Sequence, residues 1–230
     1  MKNTTYSNFW RINSPFSHDR LARWDIDVVM EGIRCPVNTE HQRAGSRIGD
    51  LSLVLPDQIP EDFVWTWSSE CLISDRVLEH LRDHRFTGFE VRPTKARYAT
   101  RPEKPPRLWE LVVTGWGGMA SAESGLYLNK EESCSVCGHL VYTGLQQSEK
   151  LIDANQWDGS DFFIVWPFPN FIFVVEPVVR LIEGLHLSGA FLKRGSTFEF
   201  ETSDEFSPGR LSHVMPEPRA SDIGKPLGIY

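Results

Sequence analysis

The clearest secondary-structure pattern in the chain is in the stretch of residues 63–91, which reads FVWTWSSECLISDRVLEHLRDHRFTGFEV. Its first part, residues 64–67, has the aromatic and β-branched character of a strand. Ser74 is a suitable helix N-cap, and apolar residues follow it at helical spacing at Val77, Leu78 and Leu81. Gly88 ends this periodicity, and residues 89–91 begin another strand. The stretch therefore predicts a strand-helix-strand unit with a short helix.

A similar pattern returns 101 residues later without a gap, so that Gly189 aligns with Gly88. A strand there leads into a helix whose first turn suits Pro177 and whose apolar residues are Val178, Val179, Ile182 and Leu185. Chance similarity of two amphipathic helices is the alternative explanation, because periodicity alone makes such pairs alike. If the repeat is real, segments 64–91 and 171–192 are related halves of one core.

These segments predict an α+β fold in which both helices pack on one shared, mixed and mostly antiparallel sheet. Residues 24–30 begin with alternating apolar and acidic side chains, which is typical of a half-buried strand. We expect a single domain over residues 1–202, with a small CxxC knuckle between the two halves. From Ser203 the chain is acidic and rich in Pro and Gly, so residues 203–230 are predicted to form an extended C-terminal tail that either lies on the body or is loosely ordered.

The composition excludes several classes of protein. With 40% hydrophobic and 12% aromatic residues, the 230-residue chain can bury a core and is not intrinsically disordered. Its longest apolar stretch, residues 162–175, is interrupted by Pro167 and Pro169 and is too short for a membrane span. The net charge of −7 disfavours nucleic acid and favours a basic partner. Four cysteines without a secretory signal predict a cytoplasmic protein.

The sharpest motif is CSVCG at residues 134–138, because two thiolates at this spacing can bind one tetrahedral metal ion. CPVN at residues 35–38 resembles a second knuckle that has lost one thiolate. The predicted metal ligands are Cys35, Cys134 and Cys137, with His41 or His139 as the fourth. A metal in such a closed site would be structural zinc. The alternative is that no cofactor binds and the motif is a relic turn with free thiols; a redox role is disfavoured because a polar run precedes the motif.

Other motifs are weaker. Residues 115–120 match G-x-G-x-x-A, but the residues that follow start a helix poorly, so a hairpin or bend is predicted instead of a nucleotide site. His80 and His84 lie one helical turn apart, and we interpret them as structural residues near the end of the first helix. No catalytic or cofactor-binding residue is predicted, and the chain is not expected to be an enzyme.

Several segments, taken in order, resemble a known family. They are FWRI at 9–12, GIRCPV at 32–37, DLS at 50–52, FTGF at 86–89, RLWEL at 107–111, CSVCG at 134–138, and the run from DFF at 161–163 to Gly189. In order and spacing the chain resembles the double-CXXCG immunity proteins of swarm-inhibition and other polymorphic toxin systems, over roughly residues 8–195. It departs from that family at Asn38, which replaces the second cysteine of the first C-x-x-C.

The resemblance implies a cytoplasmic immunity protein that binds and neutralises a cognate bacterial toxin by stoichiometric sequestration. A basic nuclease would be a suitable toxin, because the chain is acidic. The alternative is a small zinc-ribbon-containing enzyme or regulator that acts on a metabolite or a nucleic acid. The residues that contact a partner are not predicted from the sequence.

Overall fold

The computed structural model of the chain describes residues 9–14, 18–195 and 205–230. The described residues include three α-helices, α1 (Asp75–Asp83), α2 (Glu176–Gly184) and α3 (Arg219–Leu227). Their strands are β1 (Phe9–Asn13), β2 (Arg23–Trp24), β3 (Val29–Ile33), β4 (Arg43–Ile48), β5 (Leu51–Leu55), β6 (Phe63–Trp65), β7 (Cys71–Ser74), β8 (Phe89–Tyr98), β9 (Leu108–Val113), β10 (Trp116–Met119), β11 (Tyr127–Leu128), β12 (Tyr142–Thr143), β13 (Phe162–Trp166), β14 (Phe168–Val175), β15 (Phe191–Arg194) and β16 (Glu205–Phe206).

The strands form two large and two small sheets. The large sheets have the orders β2-β5-β8-β9-β7-β6 and β10-β13-β14-β1-β15, and the small ones are β11-β12-β16 and β3-β4. Neighbouring strands are antiparallel except for the pairs β5–β8 and β10–β13. This confirms the predicted α+β class with mixed, mostly antiparallel sheets. The expectation of one shared sheet is wrong, because α1 connects strands of the first large sheet and α2 connects strands of the second.

Both segments of the proposed repeat follow the same path. β7 runs directly into α1 and then leads to β8, and β14 runs directly into α2 and then leads to β15. The helices begin 101 residues apart, at Asp75 and Glu176. At equivalent positions after the helices, Arg85 and His186 have positive φ angles of 55° and 51°. The turn that ends the helix is therefore built in the same way twice.

Each of these strand-helix-strand segments, called a unit below, has a third strand between its own two. The third strand follows the segment in the sequence of the first unit and comes from the N-terminal region in the second. β9 follows β8 in the chain and lies between β7 and β8, antiparallel to both. β1 lies between β14 and β15 and is also antiparallel to both. Trp109 of β9 pairs with Ile73, and Trp10 of β1 pairs with Val174, which is 101 residues after Ile73. A tryptophan thus occupies the same register position in both units.

Each unit also holds the turn that follows the helix of the other unit. The Asp62 carboxylate accepts hydrogen bonds from the backbone amide and the hydroxyl of Ser188, at 3.0 and 3.3 Å. The Asp161 carboxylate accepts the same two hydrogen bonds from Thr87, both at 2.8 Å. Because Ser188 lies 101 residues after Thr87, the two contacts are equivalent. The units therefore meet in a reciprocal, pseudo-twofold arrangement, like the isologous interface of a dimer.

The glycine after each of these turns lies against the backbone of the other unit. Gly88 and Gly189 have φ angles of +84° and +79°, which favour glycine. A Cβ atom at Gly88 would collide with the carbonyl oxygen of Phe162, and one at Gly189 with that of Phe63. The alignment of these two glycines in the sequence therefore reflects a close approach of two main chains.

The core between the units is rich in aromatic residues. The largest side chains that are almost completely buried are Trp166, Phe63, Phe162, Phe163 and Phe173. The indole nitrogen of Trp166 donates a hydrogen bond to the hydroxyl of Tyr142 at 2.9 Å, so its polar atom has a partner inside the core. Full burial of side chains of this size contributes about 2–3 kcal/mol each relative to exposure.

The C-terminal segment packs on this core. Leu211, Met215 and Ile229 are almost completely buried, β16 pairs with β12, and α3 follows. Residues 205–230 therefore lie on the body, which is one of the two predicted alternatives, but the predicted extended conformation is wrong because they include α3; residues 203 and 204 lie outside the described part of the chain. Ala220, Ile223 and Leu227 do recur at helical spacing, but Pro226 inside α3 and the glycines at 224 and 228 favoured a loop in the sequence.

A bent ribbon leaves the six-stranded sheet. β2 and β5 pair antiparallel within that sheet, and β3 and β4 continue as a hairpin beyond a bend, which comprises residues 25–28 and 49–50. The strand predicted over residues 24–30 is wrong at its centre, because the Val28 amide donates to the Asp25 carbonyl at 3.2 Å and closes a turn. The hairpin ends in a tip, residues 34–42, that carries part of the candidate site.

Candidate metal centre

The ribbon tip supplies two of the candidate ligands. Cys35 comes shortly after β3, and His41 ends a short 3₁₀ turn, Thr39–His41. Asn38 is the N-cap of that turn, since its side-chain oxygen accepts a hydrogen bond from the Glu40 amide at 2.9 Å. The tip is therefore folded back on itself, with both candidate ligands on one loop.

A second loop, between β11 and β12, supplies the other two ligands. The Cys134 amide donates to the His139 carbonyl at 2.8 Å and closes a tight turn around Cys137. Gly138 has a φ angle of +68°, and a Cβ atom there would collide with the guanidinium of Arg210. The backbone conformation therefore favours glycine at the end of the CSVCG motif, whereas the Arg210 side chain could shift to make room.

The two loops bring four ligand atoms together. The ligand atoms of Cys35, His41, Cys134 and Cys137 all lie within 4.8 Å of one another. The Cys35 and Cys134 sulfurs are 3.9 Å apart, and the Cys137 sulfur is 3.8 Å from His41 Nδ1. A tetrahedral zinc ion with Zn–S bonds near 2.3 Å holds its sulfur ligands about 3.8 Å apart. The donor set and its spacing fit such an ion, so these four residues could hold a metal.

The surroundings favour thiolates at two of the three cysteines. Burial acts to raise the pKa of Cys137, but hydrogen bonds from Arg43 and from the His139 backbone amide lower the pKa to about 6. The pKa of Cys134 is lowered, chiefly by the backbone amide of Cys137. Burial raises the pKa of Cys35. Metals bind thiolates, so this environment lowers the cost of deprotonation at the CSVCG knuckle.

Neighbouring side chains fix the ligands. The amide nitrogen of Asn38 lies 3.1 Å from His41 Nε2, on the far side of the ring from the sulfurs. The His139 ring stacks on His41 at a centroid distance of 4.6 Å. Arg43 donates to the Cys137 carbonyl at 2.8 Å and lies 3.6 Å from its sulfur. Such outer contacts orient ligands and exclude water.

The structure brings most of the candidate ligands named from the sequence into one cluster and leaves one histidine outside it. Cys35, Cys134 and Cys137 come together, and His41 is the histidine that joins them. His139 does not join the cluster, because its ring stacks on His41 and its Nδ1 atom lies 3.3 Å from the Ser207 hydroxyl. Arg43 was missed by the sequence reasoning, and its position two residues after His41 gave no signal of its contact with Cys137.

The other singled-out motifs belong to the scaffold. Residues 116–119 of the glycine-rich motif form β10, so no helix begins there. Just after α1, the ring of the C-cap residue His84 lies 2.9 Å from the His80 carbonyl and stacks on Phe86, which agrees with a structural role near the helix end. Cys71 lies in the core, where burial raises its pKa.

Comparison of the chain with known protein families finds none that matches, and comparison with curated proteins finds no similar sequence. Among the described helices, none has the length and apolar character needed to cross a membrane. The resemblance to double-CXXCG immunity proteins therefore stays a prediction that rests on the order and spacing of the motifs.

Proposed function

We propose that this chain is an immunity protein that binds a cognate bacterial toxin in the cytoplasm and blocks it by stoichiometric sequestration. A structural zinc ion, held by Cys35, His41, Cys134 and Cys137, fixes the scaffold. The observation that carries this proposal is the closed set of four protein ligands. A metal with four protein ligands has no open position for a water or substrate, so the site favours a structural role over hydrolysis.

The location of the cluster supports a role in shaping a surface. It joins the ribbon tip to the loop between β11 and β12, two segments that no sheet connects among the described residues. A metal there would add a tether to a hairpin that otherwise contacts the body through side chains of β4, such as Arg47 with Glu110. Binding proteins benefit from such rigidity, since ordering a loop on binding costs affinity.

The charge of the chain supports a basic partner. With a net charge of −7, the chain would attract a basic toxin such as a nuclease, and this attraction raises the association rate more than the final affinity. Sequestration also needs apolar anchors within the contact. A binder therefore requires a rigid platform and a suitable surface, without a reacting group.

Two measurements test the proposal. The proposal predicts that the toxin domain is encoded beside this chain. Co-expression of the chain with that domain should rescue cells, and titration of the purified toxin should reach full inhibition at about one chain per toxin, as for a tight complex. Elemental analysis of protein purified without a histidine tag should give about one zinc per chain.

The contrary outcomes are distinct. Inactivation of the toxin at amounts far below stoichiometric would show turnover and support the enzyme alternative. Rescue without a detectable complex would contradict sequestration. A chain that binds the toxin tightly but contains no zinc would leave the binding proposal intact and remove the metal from it.

A further inference from the structure

Three apolar side chains are exposed at and beside the bend of the ribbon. Ile26 is 100% exposed, and Val29 and Ile48 are 53% and 61% exposed. Val29 and Ile48 are direct cross-strand partners, so they share one face of the hairpin. Ile26 lies in the turn immediately before Val29. Exposed apolar groups that lie together mark contact sites more often than isolated ones do.

The turn that carries Ile26 is held in place. The Asp25 carboxylate accepts two hydrogen bonds from the Arg97 guanidinium, at 2.6 and 2.9 Å, and a third from the Ile26 amide at 2.9 Å. The Asp25 amide donates to the Ser52 carbonyl at 2.9 Å. Ile26 is therefore presented on an ordered turn, which lowers the entropy cost of inserting it into a partner.

The bend itself is acidic, and two arginines of the neighbouring strands lie beside it: Arg97 forms an ion pair with Asp25, and the charge of Arg23 also acts on Asp25. The bend contains Asp25, Asp27 and Asp50 and no basic residue, and both Asp27 and Asp50 are exposed. The two arginines of β4 contact the body of the protein: Arg43 donates to the Cys137 carbonyl, and Arg47 forms an ion pair with Glu110 at 2.5 Å. The bend and the adjoining strands thus carry three exposed apolar side chains and two exposed carboxylates, Asp27 and Asp50, while Asp25 is paired with Arg97.

We infer that these five residues, Ile26, Val29 and Ile48 with Asp27 and Asp50, form the surface that contacts a basic protein partner. The inference rests on the proposed function, in which that partner is the toxin. The exposed carboxylates complement a basic surface, and the apolar residues supply affinity. A second copy of this chain fits less well, because a twofold contact through the bend would place the aspartates of one copy against those of the other.

The test compares substitutions on and off this surface. The probe is the purified toxin domain encoded beside the chain, with dissociation constants measured at low and high salt. We expect Ile26→Asp and Ile48→Asp each to weaken binding about tenfold or more, since a charge at an apolar contact removes an anchor. The matched control is Ile59→Asp, which changes a side chain that is 81% exposed in the loop between β5 and β6 and should bind like the wild type.

A second pair of variants tests the two exposed carboxylates. Asp27→Asn with Asp50→Asn should slow association and weaken its salt dependence, with little change in the dissociation rate. The control, Asp83→Asn with Glu183→Gln, removes two exposed acidic groups from the helices and should leave the association rate near that of the wild type.

The outcomes separate this inference from the proposed function. If the wild type binds and Ile26→Asp and Ile48→Asp bind equally well, the surface is wrong and the proposed function stands. If Ile59→Asp weakens binding as much as they do, the surface is also wrong. If the wild type does not bind the toxin domain, both proposals are wrong. A wild-type dimer that Ile26→Asp dissociates would assign the surface to a second copy of the chain.

Discussion

Asn38 stands where the resemblance implies a second thiolate, and its side chain has a different role in the structure. Its oxygen caps the 3₁₀ turn of the ribbon tip, and its amide nitrogen lies 3.1 Å from His41 Nε2. Metal binding through His41 Nδ1 requires a proton on Nε2, so the Asn38 amide nitrogen would have to move away from that atom, because the Asn38 oxygen already accepts from the Glu40 amide. The ribbon tip thus offers His41 as a candidate ligand, three residues after Asn38, the position where the resemblance implies a cysteine.

His41 and His139 can be distinguished by metal affinity. We expect His41→Ala to weaken zinc binding by more than about 100-fold, because it removes a direct ligand, and His139→Ala to weaken it by no more than about 10- to 100-fold, because it removes only an outer contact. Competition with a chromophoric chelator measures both affinities. A larger loss for His139→Ala than for His41→Ala would contradict the assignment of the fourth ligand.

Asp25 gives a pH-dependent contribution to stability. The hydrogen bond from Arg97, followed by that from the Ile26 amide, lowers the pKa of Asp25. Because the folded pKa lies below the unfolded value near 3.9, the stabilisation is present above that pH and is lost as the pH falls through the folded pKa. Asp25→Asn should therefore destabilise the protein at pH 7 and have a smaller effect near pH 3.

Urea unfolding at the two pH values measures this difference. Asp83→Asn is the control, since Asp83 is an exposed carboxylate at the end of α1. An equal loss for Asp25→Asn at both pH values would show that the ionised form of Asp25 is not what stabilises the bend.

At the scale of elements, the ribbon is anchored at both ends. Its base belongs to the six-stranded sheet through β2 and β5, and its tip meets the CSVCG knuckle through Cys35, His41 and Arg43. Between these anchors β3 and β4 pair only with each other in the described chain. The metal cluster therefore affects the position of the β3–β4 hairpin more than it affects the position of either large sheet.

Removal of zinc should loosen the ribbon selectively. We expect the amides of β3 and β4 to exchange faster with solvent in chelator-treated protein, because the tip loses its tether, while the amides of β8 and β9 keep their protection. Hydrogen exchange followed by mass spectrometry resolves the two regions. Equal exchange of β3 and β4 with and without zinc would show that Arg43 and the Arg47–Glu110 pair hold the hairpin without the metal.

Several elements could be predicted from the sequence, and others could not, for physical reasons. Helices α1 and α2 were predicted because their apolar spacing is local. The pairing of β1 with β14 and β15 depends on contacts across more than 150 residues and leaves no local pattern. The choice between His41 and His139 likewise depends on how two distant loops meet. α3 was missed because Pro226, with Gly224 and Gly228 two positions to either side, is a pattern typical of a loop.

Two equivalent glycines, Gly88 and Gly189, allow the backbones of the two units to approach each other closely. Gly88→Ala and Gly189→Ala should each reduce the free energy of unfolding by about 2 kcal/mol or more, because a positive φ angle and a collision with a carbonyl act together. Gly184→Ala is the matched control, since no atom lies within 4 Å of a Cβ there. Its effect should be small or stabilising, because alanine favours a helix more than glycine does.

Chemical unfolding of the three variants measures these changes. A loss of unfolding free energy in Gly88→Ala without a comparable loss in Gly189→Ala would contradict the equivalence of the two contacts.

The central strand of each unit, β1 or β9, has a consequence for breakage of the chain, because β1 lies far in sequence from the strands it pairs with and β9 follows an exposed loop. A cut between Glu103 and Lys104, in the exposed loop before β9, would leave β1 on the N-terminal fragment and β9 on the C-terminal one. Each fragment would then hold a central strand of the other fragment's sheet. With a specific protease site inserted there, the nicked protein should elute as one species under native conditions and separate into two only in denaturant.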